Sequence, residues 1–166
     1  MHRKTPLCEA PAMKRCRAVH SEEIAASAEA VFDLVHDYDR RLSWDTLLRD
    51  ARVEDGRAPG VGAVAACTGR WFVGGMCFRT RYVSFRRGAV AAVKLVGGVS
   101  LFEDWAASIR HQPIGPTRSR VVYTLSFTVR PRVLAWLLGP ALSCVFGIET
   151  RRRLRALRAV FAQRDA

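Results

Sequence analysis

The sequence predicts an α+β domain in which a seven-stranded antiparallel sheet lays one face against a long C-terminal helix, with two short helices after the first strand. Three observations carry this expectation. Turn signals punctuate residues 49–130 at short intervals, and the runs between them are rich in valine, threonine and aromatics. Two neighbouring hairpins independently sort apolar residues onto one face and cations onto the other. Beyond Arg130 the apolar period lengthens from two to nearly four and holds as far as Phe161.

The elements follow in order. Residues 1–14 are basic and lack an apolar run, which predicts a disordered tail rather than a secretory signal, with the folded domain over 15–166. Cys16 to Ala25 reads as the first strand. Ser27 is a good N-cap and Glu29 suits a first helical turn, so Val31, Phe32 and Val35 predict a short amphipathic helix over 28–37. A second short helix is expected from Asp39 or Arg40 to about Leu48, with Leu42, Trp44, Leu47 and Leu48 as apolar contacts.

Six strands should then form a meander. A two-residue turn at Gly74-Gly75 would set Trp71 against Phe78, Cys67 against Tyr82 and Arg70 against Arg79. The turn at Arg87-Gly88 sets Tyr82 against Val93 and Thr80 against Leu95. One face then collects Trp71, Phe78, Tyr82, Val93 and Leu95, and the other Arg70, Arg79, Arg81 and Lys94. In the last strand Val121, Tyr123, Leu125, Phe127 and Val129 face inward. In the strand before it Trp105, Ala107 and Ile109 are expected inward, although a one-residue difference at Gly97-Gly98 would reverse this.

The closing helix carries Leu134, Leu138, Leu142, Phe146, Leu154, Leu157 and Phe161 on one stripe, and Gly139-Pro140 should kink or split it. Val133 to Ile148 is uncharged, but sixteen residues fall short of the roughly twenty that span a bilayer, so no transmembrane segment is expected.

The chain has 166 residues and a net charge of +12, a balance that favours anionic surfaces: acidic phospholipid, ribosome or RNA. The alternative is a solvated arginine-rich surface, and the cluster Arg151, Arg152, Arg153, Arg155 and Arg158 reads either way. Five cysteines with irregular spacing and no C-x-x-C pair speak against both a zinc site and a secreted disulfide framework, and for a reducing cytoplasm. No metal and no cofactor are expected. There is no nucleophile triad or phosphate-binding glycine loop. His20, His36 and His111 read as surface or strand-end residues.

The serial order of these elements resembles the START-like superfamily, also called SRPBCC, in its polyketide cyclase/dehydrase branch, whose architecture is the helix-grip fold. Ile24 to Asp45 (IAASAEAVFDLVHDYDRRLSWD) looks like the family's opening, and Thr117 to Phe127 (TRSRVVYTLSF) like its last strand. The segment Arg40-Arg41-Leu42-Ser43-Trp44-Asp45 lacks the prolines and cysteine of the superfamily's coenzyme Q-binding branch. The resemblance implies a curved sheet wrapped around the long helix, with an apolar cavity between them, in a superfamily of lipid, sterol and hormone carriers and aromatase/cyclases.

On that basis Trp44, Trp71, Phe78, Tyr82, Val93, Leu95, Trp105, Tyr123, Phe127, Leu138 and Leu142 are the expected cavity residues, core and pocket sharing walls. The first functional expectation is a binding protein for an apolar or amphipathic small molecule such as a lipid, polyketide or isoprenoid. An alternative is a cyclase or dehydratase that uses a cavity carboxylate or tyrosine, with Glu103 and Tyr82 as candidates. In that reading Glu103 shares a face with Trp105; otherwise it points outward and pairs with Arg79 or Arg81. A third expectation is a ribosome- or RNA-associated protein, and peripheral contact with an anionic membrane also suits the charge.

Overall fold

The computed structural model describes residues 15–163; the tail expected over 1–14 lies outside them. The elements are β1 (Cys16–Ile24), α1 (Ala28–His36), β2 (Leu48–Val53), β3 (Val64–Gly69), β4 (Cys77–Arg86), β5 (Val90–Gly97), β6 (Phe102–Gly115), β7 (Arg118–Val129) and α2 (Arg132–Ala162). They form one antiparallel sheet in the order β1-β7-β6-β5-β4-β3-β2, curled into a half-barrel around α2. This is the helix-grip architecture.

Local chemistry explains the opening. The Ser27 hydroxyl accepts from the Ala30 amide at 3.2 Å and caps α1. Val31, Phe32 and Val35 are buried on its inner face. The second short helix is replaced by a single 3-10 turn over Arg41–Ser43, closed when Asp45 N–H reaches the Arg41 carbonyl at 3.0 Å. The Asp45 side chain is engaged elsewhere in the core, which holds the segment as a turn.

The hairpin at Arg87-Gly88 has the expected register, with Tyr82 opposite Val93 and Thr80 opposite Leu95. The β3-β4 connection differs. Cys67 pairs with Phe78 rather than Tyr82, because β3 stops at Gly69 and a 3-10 turn over Trp71–Val73 enlarges the loop. The register moves by four residues, an even number, so Phe78 and Tyr82 keep their inward face. Trp71 is lifted out of the sheet and lies 84% exposed.

Trp105, Ala107 and Ile109 are buried on the concave face. Gly98, in the turn before β6, sits at φ +103, and a Cβ there would lie 2.0 Å from the Cys77 carbonyl oxygen, so only glycine fits.

Helix α2 is continuous through Gly139 and Pro140; the expected split is absent. Two of its glycines face β1 closely, Gly139 against Cys16 and Gly147 against His20, which presses the helix onto that strand. Its inner side buries Phe146, Leu154, Leu157 and Phe161, whereas Leu134 is exposed. By length and composition Val133–Ala162 could cross a membrane, yet this packing ties it to the sheet.

Two apolar clusters result. One joins α1 and the end of α2 to Ile24, Ala65, Tyr82, Ala91, Ile109 and Val121. The other gathers Phe102, Trp105, Leu125, Phe127 and Val129 around Phe146.

Candidate functional site

The two clusters do not close on each other completely. Between them lies a cavity of about 130 Å³, walled by residues of α1, the segment after it, β2 to β7 and the second half of α2. Strand alternation sends Phe78, Thr80 and Tyr82 of β4, Val93 of β5, Trp105, Ala107 and Ile109 of β6, and Tyr123 and Leu125 of β7 into this space. Helical spacing brings Phe146, Thr150, Arg153, Leu154 and Leu157 to the same wall.

Of the residues expected from sequence, Trp44, Phe78, Tyr82, Val93, Trp105 and Tyr123 line the cavity. Leu95, Phe127, Leu138 and Leu142 belong to the apolar cluster beside it and support the wall from behind. Trp71 is excluded from the cavity by the enlarged β3-β4 loop.

Glu103 is also excluded. A β-bulge between Phe102 and Asp104 turns both Phe102 and Trp105 inward and leaves Glu103 exposed between them. Arg79, one partner expected for Glu103, instead makes a bidentate pair with Glu54 at 2.7 and 2.8 Å. Glu23 pairs with Arg118 and Arg120, and Asp104 with Arg15, so these carboxylates are outside the cavity.

The polar wall comes mostly from residues that sequence reasoning passed over. Tyr82 OH lies 3.1 Å from His36 Nδ1 and 2.9 Å from Tyr38 OH, making a chain of three side chains. Burial, followed by the charge of Arg41 and the nearness of His111, pushes the His36 pKa down to about 2, so the ring is neutral. Burial likewise raises both tyrosines, Tyr82 strongly. His111, also buried, is lowered to about 4 by desolvation. Neither His36 nor His111 is a surface group. The signal was available for His36, which follows Phe32 by one helical turn on the buried side of α1.

A buried charge cluster lies beside this chain. Asp45 Oδ2 accepts from Arg41 Nε at 2.8 Å and Arg153 Nη2 at 2.7 Å, and Oδ1 accepts from the Leu47 amide at 3.2 Å. Burial alone would raise the Asp45 carboxyl, but the guanidiniums of Arg153 and Arg41 outweigh it and hold the group below its ordinary value. Arg41 also donates to the Val35 carbonyl and stacks 4.9 Å above the Trp44 ring. Arg153 stacks 5.4 Å above Tyr123. Arg153 is thus not part of a solvated arginine face: it follows Phe146 by seven residues and precedes Leu157 by four, on the inner stripe.

Among the described residues no group of histidine, cysteine and carboxylate side chains could hold a metal ion. The arrangement suits an apolar ring or chain with polar atoms at one end. Nothing in it resembles an activated nucleophile.

The family of this chain and its structural neighbours suggest a protein of the ligand-binding or polyketide cyclase type. The chain belongs to the polyketide cyclase/dehydrase and lipid transport family, whose model matches residues 15–162. Among solved structures it is similar to a START superfamily protein from Mycobacterium smegmatis, at 20% identity and a TM-score of 0.71, covering 89% of this chain and 98% of that one. It is also similar to the Zhui aromatase/cyclase from Streptomyces sp. R1128, at 14% identity and a TM-score of 0.78, over 92% and 97% of the two chains. A norcoclaurine synthase from Thalictrum flavum shares the fold at 14% identity and a TM-score of 0.62, over 95% and 100%. At these identities the likeness is one of fold. No curated protein matches the sequence.

Proposed function

We propose that this protein binds an apolar or amphipathic small molecule, such as a lipid, polyketide or isoprenoid, in the cavity between the sheet and α2. The supporting observation is the cavity itself, about 130 Å³ of space left inside an otherwise packed interior and walled mainly by aromatic and aliphatic side chains. Engineered cavities of about 150 Å³ take up benzene, so this space takes a group of about one ring as it stands, and a longer ligand requires the walls to part. Native mass spectrometry of the protein purified from its expression host tests this reading. A bound mass that organic extraction removes is expected; a protein that is ligand-free and takes up no added small aromatic or isoprenoid compound would overturn it.

A cyclase-type reaction retains fewer candidates. Glu103 is outside the cavity, and Asp45 is held by two arginines. Tyr82 remains, with its hydroxyl kept protonated by burial and suited to donating a hydrogen bond to a carbonyl oxygen.

A second reading concerns the outer surface of α2. Val133, Trp136, Leu137 and Ile148 are exposed, at 75, 76, 56 and 48%, and exposed Arg151, Arg152 and Arg155 follow. An apolar stripe running into arginines suits a helix lying on an anionic bilayer, where an interfacial tryptophan and cations cooperate. In a cytoplasmic setting, consistent with the free Cys16, Cys67, Cys77 and Cys144, this surface would meet the inner leaflet. Flotation with phosphatidylglycerol vesicles but not phosphatidylcholine vesicles is expected, with Trp136→Ala weakening it. Binding to ribosomes in place of vesicles would reassign the surface to RNA.

A further inference from the structure

We propose that the cavity selects a monoanionic ligand, an aromatic or aliphatic body carrying one carboxylate, which lies against Arg153 and Arg41. This rests on the reading that the cavity takes an amphipathic small molecule, and names the chemistry of its polar end.

The first argument is charge balance. Among the described residues, Arg41 and Arg153 are the only charged ones lining the cavity. Both direct a donor to the same oxygen of Asp45, and the other Asp45 oxygen is occupied by the Leu47 amide. One carboxylate therefore faces two buried guanidiniums. The other titratable groups of the wall leave the excess in place: His36 is uncharged, and Tyr38, Tyr82 and Cys67 are protonated. Glu149, one turn before Arg153 on α2, is outside the wall and pairs with Arg152 at 2.8 Å. An uncompensated cation in an apolar interior is unfavourable, and an entering anion relieves it.

The second argument is the inventory of unpartnered groups. Arg153 Nε, Trp44 Nε1 and Trp105 Nε1 are buried without a hydrogen-bond partner. All three are donors that cannot accept, and all belong to residues of the cavity wall. His36 Nε2 is the remaining unpartnered polar atom there. The spare hydrogen-bonding capacity of these wall residues is thus mainly that of donors buried within the wall, and the ligand chemistry it complements is that of an acceptor.

The third argument separates anions. The excess is one charge, which a carboxylate cancels and a doubly charged phosphate would reverse. The planar guanidinium fork also fits the two oxygens of a carboxylate. The Trp44, Phe78, Trp105 and Tyr123 rings provide the apolar surroundings for the ligand body.

Cinnamate and cinnamyl alcohol share a skeleton and differ in charge, so calorimetric titration of the full chain with each separates the terms. Cinnamate should bind at least about ten-fold more tightly, as expected for a charge-assisted bidentate contact. Arg153→Gln should remove that preference, and Arg153→Lys should restore only part of it, lacking the fork. Should Arg153→Gln fail to fold, the comparison on the unaltered protein decides alone. Equal affinity for the two compounds overturns the inference and leaves the cavity reading standing. Absence of binding by both overturns the two together.

Discussion

Arg153, near the end of α2, donates from Nη2 to Asp45 Oδ2 at 2.7 Å and so ties the closing helix to the turn after α1 across 108 positions of sequence. Arg41 shares the same oxygen, and the Asp45 side chain has no solvent exposure. Breaking a buried cluster by removing one partner is costly because the remaining charges stay desolvated. Asp45→Asn should therefore destabilise the protein by about 3–5 kcal/mol, read as a lower urea midpoint at unchanged slope. The triple replacement Asp45→Leu, Arg41→Met, Arg153→Met should recover most of that loss, because no charge is then buried. A single variant of near-native stability would show that the cluster is not desolvated as described.

The two buried histidines set the acid limit of stability. Their pKa values fall on folding, from 6.5 to about 2 for His36 and to about 4 for His111. Below pH 6.5 the unfolded chain binds protons that the native rings refuse, so stability falls as pH drops. At about pH 5 each ring should cost on the order of 2 kcal/mol relative to neutral pH. The Asp45 carboxyl, held below its ordinary 3.8, adds a further loss only below that value. Urea titrations at neutral pH and near pH 5 should differ accordingly, and His111→Phe should flatten the dependence. A pH-independent midpoint across this window would refute the assignment of neutral, buried rings.

Much of this fold was legible because strand alternation and turn chemistry act locally. Parity alone assigns Phe78, Tyr82 and Val93 to one face, whereas the side of Trp105 depends on the length of the turn at Gly97-Gly98. Parity survives even at the β3-β4 connection, since the enlarged loop displaces the register by an even number. Trp71 does not stay on that face: it lies in the added turn, and nothing local distinguishes a two-residue Gly-Gly hairpin from a longer loop ending in the same glycines. Glu103 depended on a bulge, which the sequence of β6 does not announce. The polar half of the cavity was hardest to foresee, because Asp45, Arg41 and Arg153 each resemble a surface residue until the fold brings them together. Only the position of Arg153 on the Phe146-Leu157 stripe pointed inward, and its charge argued the other way.

Tyr82 and Glu103, the two residues singled out for chemistry, should now behave differently. Tyr82 is 3% exposed, and its hydroxyl serves both His36 and Tyr38. Tyr82→Phe leaves those partners short of a hydrogen bond inside the protein and should cost about 1–3 kcal/mol. Glu103→Gln acts at an exposed position and should stay within about 0.5 kcal/mol, with cinnamate affinity unchanged. Thermal and urea denaturation of the pair, alongside titration of each, would show whether any function attaches to Glu103.

Phe127 and Trp71 offer the sharpest separation of core from surface among the aromatics first assigned to one cavity. Phe127 is fully buried, with its ring 5.4 Å from Phe102 and 5.5 Å from Phe146, and it holds α2 against the sheet from behind the cavity wall. Phe127→Ala should cost about 3–5 kcal/mol through lost burial and the void left behind. The void opens beside Trp105, so a variant that still folds should accept a bulkier ligand than the native protein. Trp71 touches only Phe72 among the rings, at 5.9 Å, and its side chain stands in solvent. Trp71→Ala should change stability by no more than about 0.5 kcal/mol and leave cinnamate binding as it was. Comparable losses from the two substitutions would mean that the β3-β4 loop folds back over the sheet in solution, returning Trp71 to the hairpin register that its sequence first suggested.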